Sequence, residues 1–230
     1  MAFKQQVEAF LNKPHLHVAT VILVLGLSAL IGGIGYFFGM LVVLLTLWAR
    51  NWDWGFFGIA EPNWKRAVVQ GLLYSIAIFI FTEITVEPII DRYFGDSDLS
   101  SFDNLKGNLA NYIVFSLFMW VIAAFGEEML YRGYMVKRIA IILGNKQWGW
   151  IAAITISSII FGIAHKYQGP AGMVGTGVIG FLTGLIFLRN KNNLLVCMFT
   201  HGFYDMIGIT LLYFGIQDMD GLIEAIKGSL

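Results

Sequence analysis

The amino-acid sequence predicts an all-α, polytopic transmembrane helical bundle, and three observations carry that prediction. Hydrophobic residues make up 57% of the chain and charged residues 13%, against about 45–50% and about 25% in soluble domains. The apolar residues also come in long runs: no charged side chain occurs from Val18 to Trp48, well beyond the ~18 residues that mark a membrane span. Such runs recur along the whole chain, more than one soluble core of 230 residues can bury.

Six segments have this character: Val18–Trp48, Ala67–Ile90, Leu109–Phe125 with a helical pattern continuing to Leu143, Trp148–Ala164, Ala171–Leu188 and Leu194–Phe214. Each is read as a helix, because an open strand in lipid leaves its backbone N–H and C=O groups unpaired. The polar connectors are Ala49–Arg66, Asp91–Asn108, Gly144–Gln147, Lys166–Pro170 and Arg189–Asn193. Asp91–Asn108 carries Asp91, Asp96, Asp98 and Asp103 and reads as a solvated acidic loop. Gln217–Leu230 reads as a short surface helix or a tail. Residues 1–108 supply N-terminal membrane helices and the acidic loop, and residues 109–230 a membrane core that carries the chemistry, the two making one integrated domain.

Val18–Trp48 is too long for one ordinary span. A single helix there measures about 46 Å against a hydrocarbon core of about 30 Å, and Gly32, Gly33 and Gly35 stand at its middle. Two crossings bring Lys4 and Lys13 to the same side as Arg50, Lys65, Arg66, Lys137, Arg138, Lys146, Arg189 and Lys191, the more one-sided split, and basic residues gather in the cytoplasm. Two crossings also leave only about 15 residues each, short of the usual 17–25. Length thus favours one long or broken helix and six spans, seven if the segment is divided. In either case the loops Gly144–Gln147 and Arg189–Asn193 fall on the cytoplasmic side.

Ionisable side chains inside spans are costly and point to function. Glu127 and Glu128 follow an apolar run, with Arg132 one turn on; His165 ends another; His201 and Asp205 lie one turn apart in the last. Counted from Lys137 and Lys191 at 1.5 Å per residue, Glu127 and His201 each lie about 15 Å deep, and His165 about 18 Å. Three helices thus deliver a carboxylate and two imidazoles to nearly one plane. The i,i+4 spacing lets Glu128 pair with Arg132, leaving Glu127 turned away and free for chemistry. The same spacing lets Asp205 orient His201 and set its tautomer. Glu83 and Glu87, a further i,i+4 pair, read as an interfacial acidic cluster.

Glu127-Glu128-x-x-x-Arg132, Phe161-x-x-x-His165 and His201-x-x-x-Asp205 follow one another on successive apolar segments. In this order they resemble the CPBP family, which comprises type II CaaX prenyl proteases and bacteriocin-processing and immunity-linked relatives. The resemblance spans Asn108–Phe214. The eukaryotic enzymes carry Asn at the last position, where this chain has Asp205.

A carboxylate with a histidine partner can deprotonate a water. Glu127 with His165 as base, and His201 oriented by Asp205 as oxyanion donor, would cleave a peptide bond of a membrane-embedded or lipidated substrate, an assignment the resemblance also implies. The expected partners are therefore the lipid bilayer and a membrane-associated or lipidated peptide. A metal-free mechanism is favoured. Zinc held by Glu127, His165 and His201 is the alternative, because one carboxylate and two imidazoles leave an open fourth position. The rival function classes are a proton-coupled transporter and a catalytically silent scaffold or immunity protein. Zero net charge gives no nucleic-acid footprint, and the single cysteine, Cys197, excludes an internal disulfide. The expected location is the plasma membrane in a prokaryote or an endomembrane in a eukaryote.

Overall fold

The computed structural model describes residues 2–59, 63–216 and 221, so the reading of Gln217–Leu230 lies outside the described residues except at Gly221. Every described element is helical. The chain opens with α1 (Ala2–Leu11), α2 (Pro14–Ile31) and α3 (Ile34–Ala49), followed by α4 (Trp64–Phe81), a π-helical turn (Thr82–Val86) and α5 (Glu87–Phe94). The second half holds α6 (Leu109–Phe118), two π-helical stretches (Met119–Glu127 and Met129–Val136), α7 (Lys137–Ile142), α8 (Gln147–Ala164), α9 (Gly169–Arg189) and α10 (Leu194–Tyr213). Among the described residues six helices are long and apolar enough to cross a membrane, and the chain is an integral membrane protein. Side chains such as Leu30, Phe37, Val114, Leu117 and Val121 are exposed, as a lipid-facing surface requires.

The structure corrects the reading of Val18–Trp48 as one long or broken helix: the segment is a helical hairpin. Gly32, at φ +67°, ends α2, and α3 starts two residues on. The limbs pack so closely that a side chain on Gly35 would overlap Ser28 and the Val24 carbonyl. The return is antiparallel, because α1 meets the far end of α3 through Phe3 on Trp48 and Glu8 on Arg50. This places Lys4 beside Asn51, the grouping that the basic residues favour. Contact between the limbs outweighs the shortness of each.

The second span also runs further than the sequence suggests, because the π turn leads without a break into α5, which carries Pro88 in its first turn. Helix continues to Phe94, so Asp91 is helical, while Asp96, Asp98 and Asp103 are exposed in the loop beyond. Leu105, fully buried, anchors that loop.

Small residues bring the helices of the second half together. Gly162 on α8 sits against the Met173 carbonyl and Gly177 of α9, Gly184 of α9 against Ile154, and Gly71 of α4 against the backbone of Phe199 and Thr200 in α10. Without a hydrophobic drive between helices in lipid, such close backbone approach supplies the packing energy. The stretch Met129–Val136 is buried at every residue and forms the centre of the core with Ile154, Phe187 and Leu194.

The turn Trp54–Phe57 docks on the α9–α10 turn: Leu194 N–H donates to Gly58 O at 3.0 Å, and Lys137 Nζ to Phe56 O at 2.9 Å. A cavity of about 310 Å³ lies between these turns, lined by Lys137, Lys191 and Asn192 among others. It is at the basic end of the bundle, away from the acid and histidine cluster.

Candidate active site

Glu127 and Glu128 stand where one π-helical stretch ends and the next begins. A π-helix pairs residues five apart, and such insertions concentrate at functional sites. The apolar pattern of 109–143 reads as ordinary α-helix, and no local sequence signal marks the change.

Glu128 is fully enclosed. Its Oε1 accepts from Arg132 Nη1 at 2.7 Å, with both side chains buried. Arg132 also donates through Nη2 to Gly180 O at 2.8 Å and lies over the Phe161 ring. The same Glu128 Oε1 is 2.9 Å from His201 Nδ1. The contact at Nδ1 of His201 thus comes from Glu128, a pairing between helices that the sequence reading missed. Asp205 faces the other ring nitrogen, with Oδ2 at 3.4 Å from Nε2, and Glu127 Oε2 stands 3.9 Å from that nitrogen.

Exposure separates the acids. The Glu128 side chain is 0% exposed and Arg132 3%, whereas Glu127 is 17% and Asp205 18% exposed. Glu127 Oε2 accepts no hydrogen bond from the protein. Glu127 and Asp205 are thus the more accessible acids of the cluster, and the Glu127 Oε2 that faces His201 Nε2 is enclosed.

His165 caps the C-terminus of α8. Its Nδ1 lies 2.8 Å from Phe161 O. A carbonyl only accepts, so Nδ1 carries a proton, and in the neutral ring Nε2 is the acceptor. The His165 ring packs on Phe161 with centroids 4.6 Å apart, and Phe161 meets His201 edge-on at 6.0 Å. Phe161 thus stands between the two imidazoles.

Among the described residues no three histidine, cysteine, aspartate or glutamate side chains converge as a metal-binding group. Cys197 is buried against Thr183 O at 3.7 Å. The Tyr204 hydroxyl on α10 is 3.4 Å from the Thr82 hydroxyl, in the π-helical turn that also carries Glu83.

Fold and cluster together define a polytopic membrane protein with a buried acid–imidazole cluster. Residues 109–207 match the family described as Type II CAAX prenyl endopeptidase Rce1-like. The matched segment contains Glu127, Glu128, Arg132, His165, His201 and Asp205. The chain is 24% identical over 165 residues to the membrane-embedded CAAX protease MroQ of Staphylococcus aureus (strain USA300), covering 70% of this chain and 66% of the relative. It is 32% identical over 108 residues to an uncharacterized protein of Mycoplasma capricolum subsp. capricolum, covering 45% of this chain and 30% of that one. The chain thus spans less than two thirds of each of these relatives. No solved structure matches.

Proposed function

We propose that this protein is an intramembrane endopeptidase of the CAAX-protease kind, in which Glu127 is the base that activates water. The observation that carries the reading is the division of labour around His201: sealed Glu128 holds Nδ1, while Nε2 faces the more accessible acids Glu127 and Asp205. A carboxylate that is reachable from outside and not engaged by an arginine can take a proton from water as its oxygen attacks the scissile carbonyl carbon. The Nε2–H of His201, aimed by Glu128 from behind, then donates to the developing oxyanion. Asp205 flanks that nitrogen and balances its charge. His165, with Nδ1 committed to Phe161 O, leaves Nε2 as a second proton acceptor. Proton return to the leaving amine completes cleavage. The route as drawn uses no metal. The names of the relatives point to a substrate carrying a C-terminal Cys-aliphatic-aliphatic-X tail, and burial of the site in the bilayer suits a lipidated chain end.

The test uses the full chain in liposomes and a quenched fluorescent peptide bearing a farnesylated Cys-aliphatic-aliphatic-X tail, with its lipid-free counterpart as a second probe. Glu127→Gln preserves shape but cannot take the proton, so turnover falls about 100-fold or more while binding persists. Cleavage by Glu127→Gln at the wild-type rate would overturn the assignment. Preference for the lipid-free peptide would reassign the substrate class.

A further inference from the structure

Tyr36 lies in α3, four residues past the Gly32 break and outside the segment that matches the family. Its hydroxyl donates to Ile122 O at 3.1 Å. In an i→i+5 helix that carbonyl is the partner of the Glu127 N–H, so the bond grips the turn that ends in Glu127. The hydroxyl also occupies the space over Gly126, where any Cβ would overlap it. The hydrogen bond to the Ile122 carbonyl and the clearance over Gly126 thus place a contact from the N-terminal hairpin on the turn that ends in the acid.

We infer that Tyr36 is a positioning residue for Glu127, supplied by the N-terminal hairpin: its hydroxyl pins the π-helical turn and so sets the direction of the carboxylate. The inference rests on the reading of Glu127 as the base. It explains why the hairpin closes so tightly at Gly35, since a looser tip would withdraw Tyr36 from Ile122. The second half of the chain therefore carries the reacting groups but not the whole of their alignment.

The experiment compares wild type, Tyr36→Phe, Glu127→Gln and the double variant in liposomes with the farnesylated peptide, together with thermal unfolding of each. Tyr36→Phe removes only the hydroxyl, and kcat should fall about 10-fold, the scale of one well-placed hydrogen bond. KM should stay within about 2-fold, and the unfolding midpoint should match wild type. On the Glu127→Gln background the same change should alter the residual rate by less than about 2-fold, because residues that act through one another are not additive. Gly126→Ala, which displaces the hydroxyl without removing it, should reproduce the kcat loss if the variant folds. Wild-type kcat in Tyr36→Phe, or an undiminished 10-fold effect in the double variant, overturns the inference and leaves the peptidase reading standing. Wild-type cleavage by Glu127→Gln removes both.

Discussion

Glu128 Oε1 lies 2.9 Å from His201 Nδ1, so a carboxylate on one helix fixes the imidazole of another. That oxygen is also the acceptor for Arg132, at 2.7 Å. One buried atom therefore serves two partners, and its loss has two consequences.

Glu128→Gln should leave Arg132 buried without a counter-charge and free His201 to rotate. Breaking a buried pair on one side costs about 3–5 kcal/mol, so yield and unfolding temperature should fall together with turnover. Arg132→Lys keeps the charge but cannot reach Glu128 and Gly180 O at once, and it should be milder than Arg132→Ala. Thermal unfolding in detergent measures both. A fully stable, inactive Glu128→Gln would assign Glu128 to the chemistry.

His165→Asn separates the two nitrogens of that ring. The asparagine amide can still donate to Phe161 O, as Nδ1 does now, but nothing replaces Nε2. The variant should fold normally and lose about 10²–10⁴-fold in turnover if Nε2 moves a proton. Turnover within about 2-fold of wild type would confine His165 to capping α8, given how large general acid–base contributions are.

Gly162→Ala tests the packing that brings Phe161 and His165 to the site. The new methyl meets the Met173 carbonyl and Gly177 of the facing helix, backbone that cannot move aside cheaply. Overpacking of this kind costs about 1–3 kcal/mol, more than the ~1 kcal/mol that alanine gains in helix propensity. A rise in unfolding temperature would show that α8 and α9 can separate without penalty.

Membrane sidedness is readable with single added cysteines, because native Cys197 is 0% exposed and should not react. Cysteine at Gln5 or Lys146 should label only from the cytoplasm, and cysteine at Asp98 only from the opposite side. The first two share a side because α2 and α3 form a hairpin. Labelling of Gln5→Cys from outside would contradict that hairpin, and inversion at all three would reverse the orientation.

Much of this was legible in the sequence because the signals are local. Hydropathy over ~18 residues marks a span, and the number and order of the long apolar helices follow from it. The i,i+4 spacing of Glu128 and Arg132 already implies that they share a helix face. The Val18–Trp48 segment was harder, because its length favoured one helix and its flanking charges favoured two. Contacts between the limbs, at Gly35 and between α1 and α3, decide it.

The sequence by itself determined the solvent of this protein, the long apolar helices after its first hairpin and a candidate set of acids and histidines. Composition and periodicity belong to each segment alone, so no partner is needed to read them. Only the tertiary structure decided which acid is sealed and which is open, that Phe161 stands between the two histidines, and that Tyr36 reaches the turn before Glu127. Glu128 and His201 are 73 residues apart, and Tyr36 and Ile122 are 86 apart. Contacts at that separation leave no periodic trace in either segment; they arise when glycines such as Gly35, Gly126 and Gly162 let helices approach closely enough for particular side chains to meet.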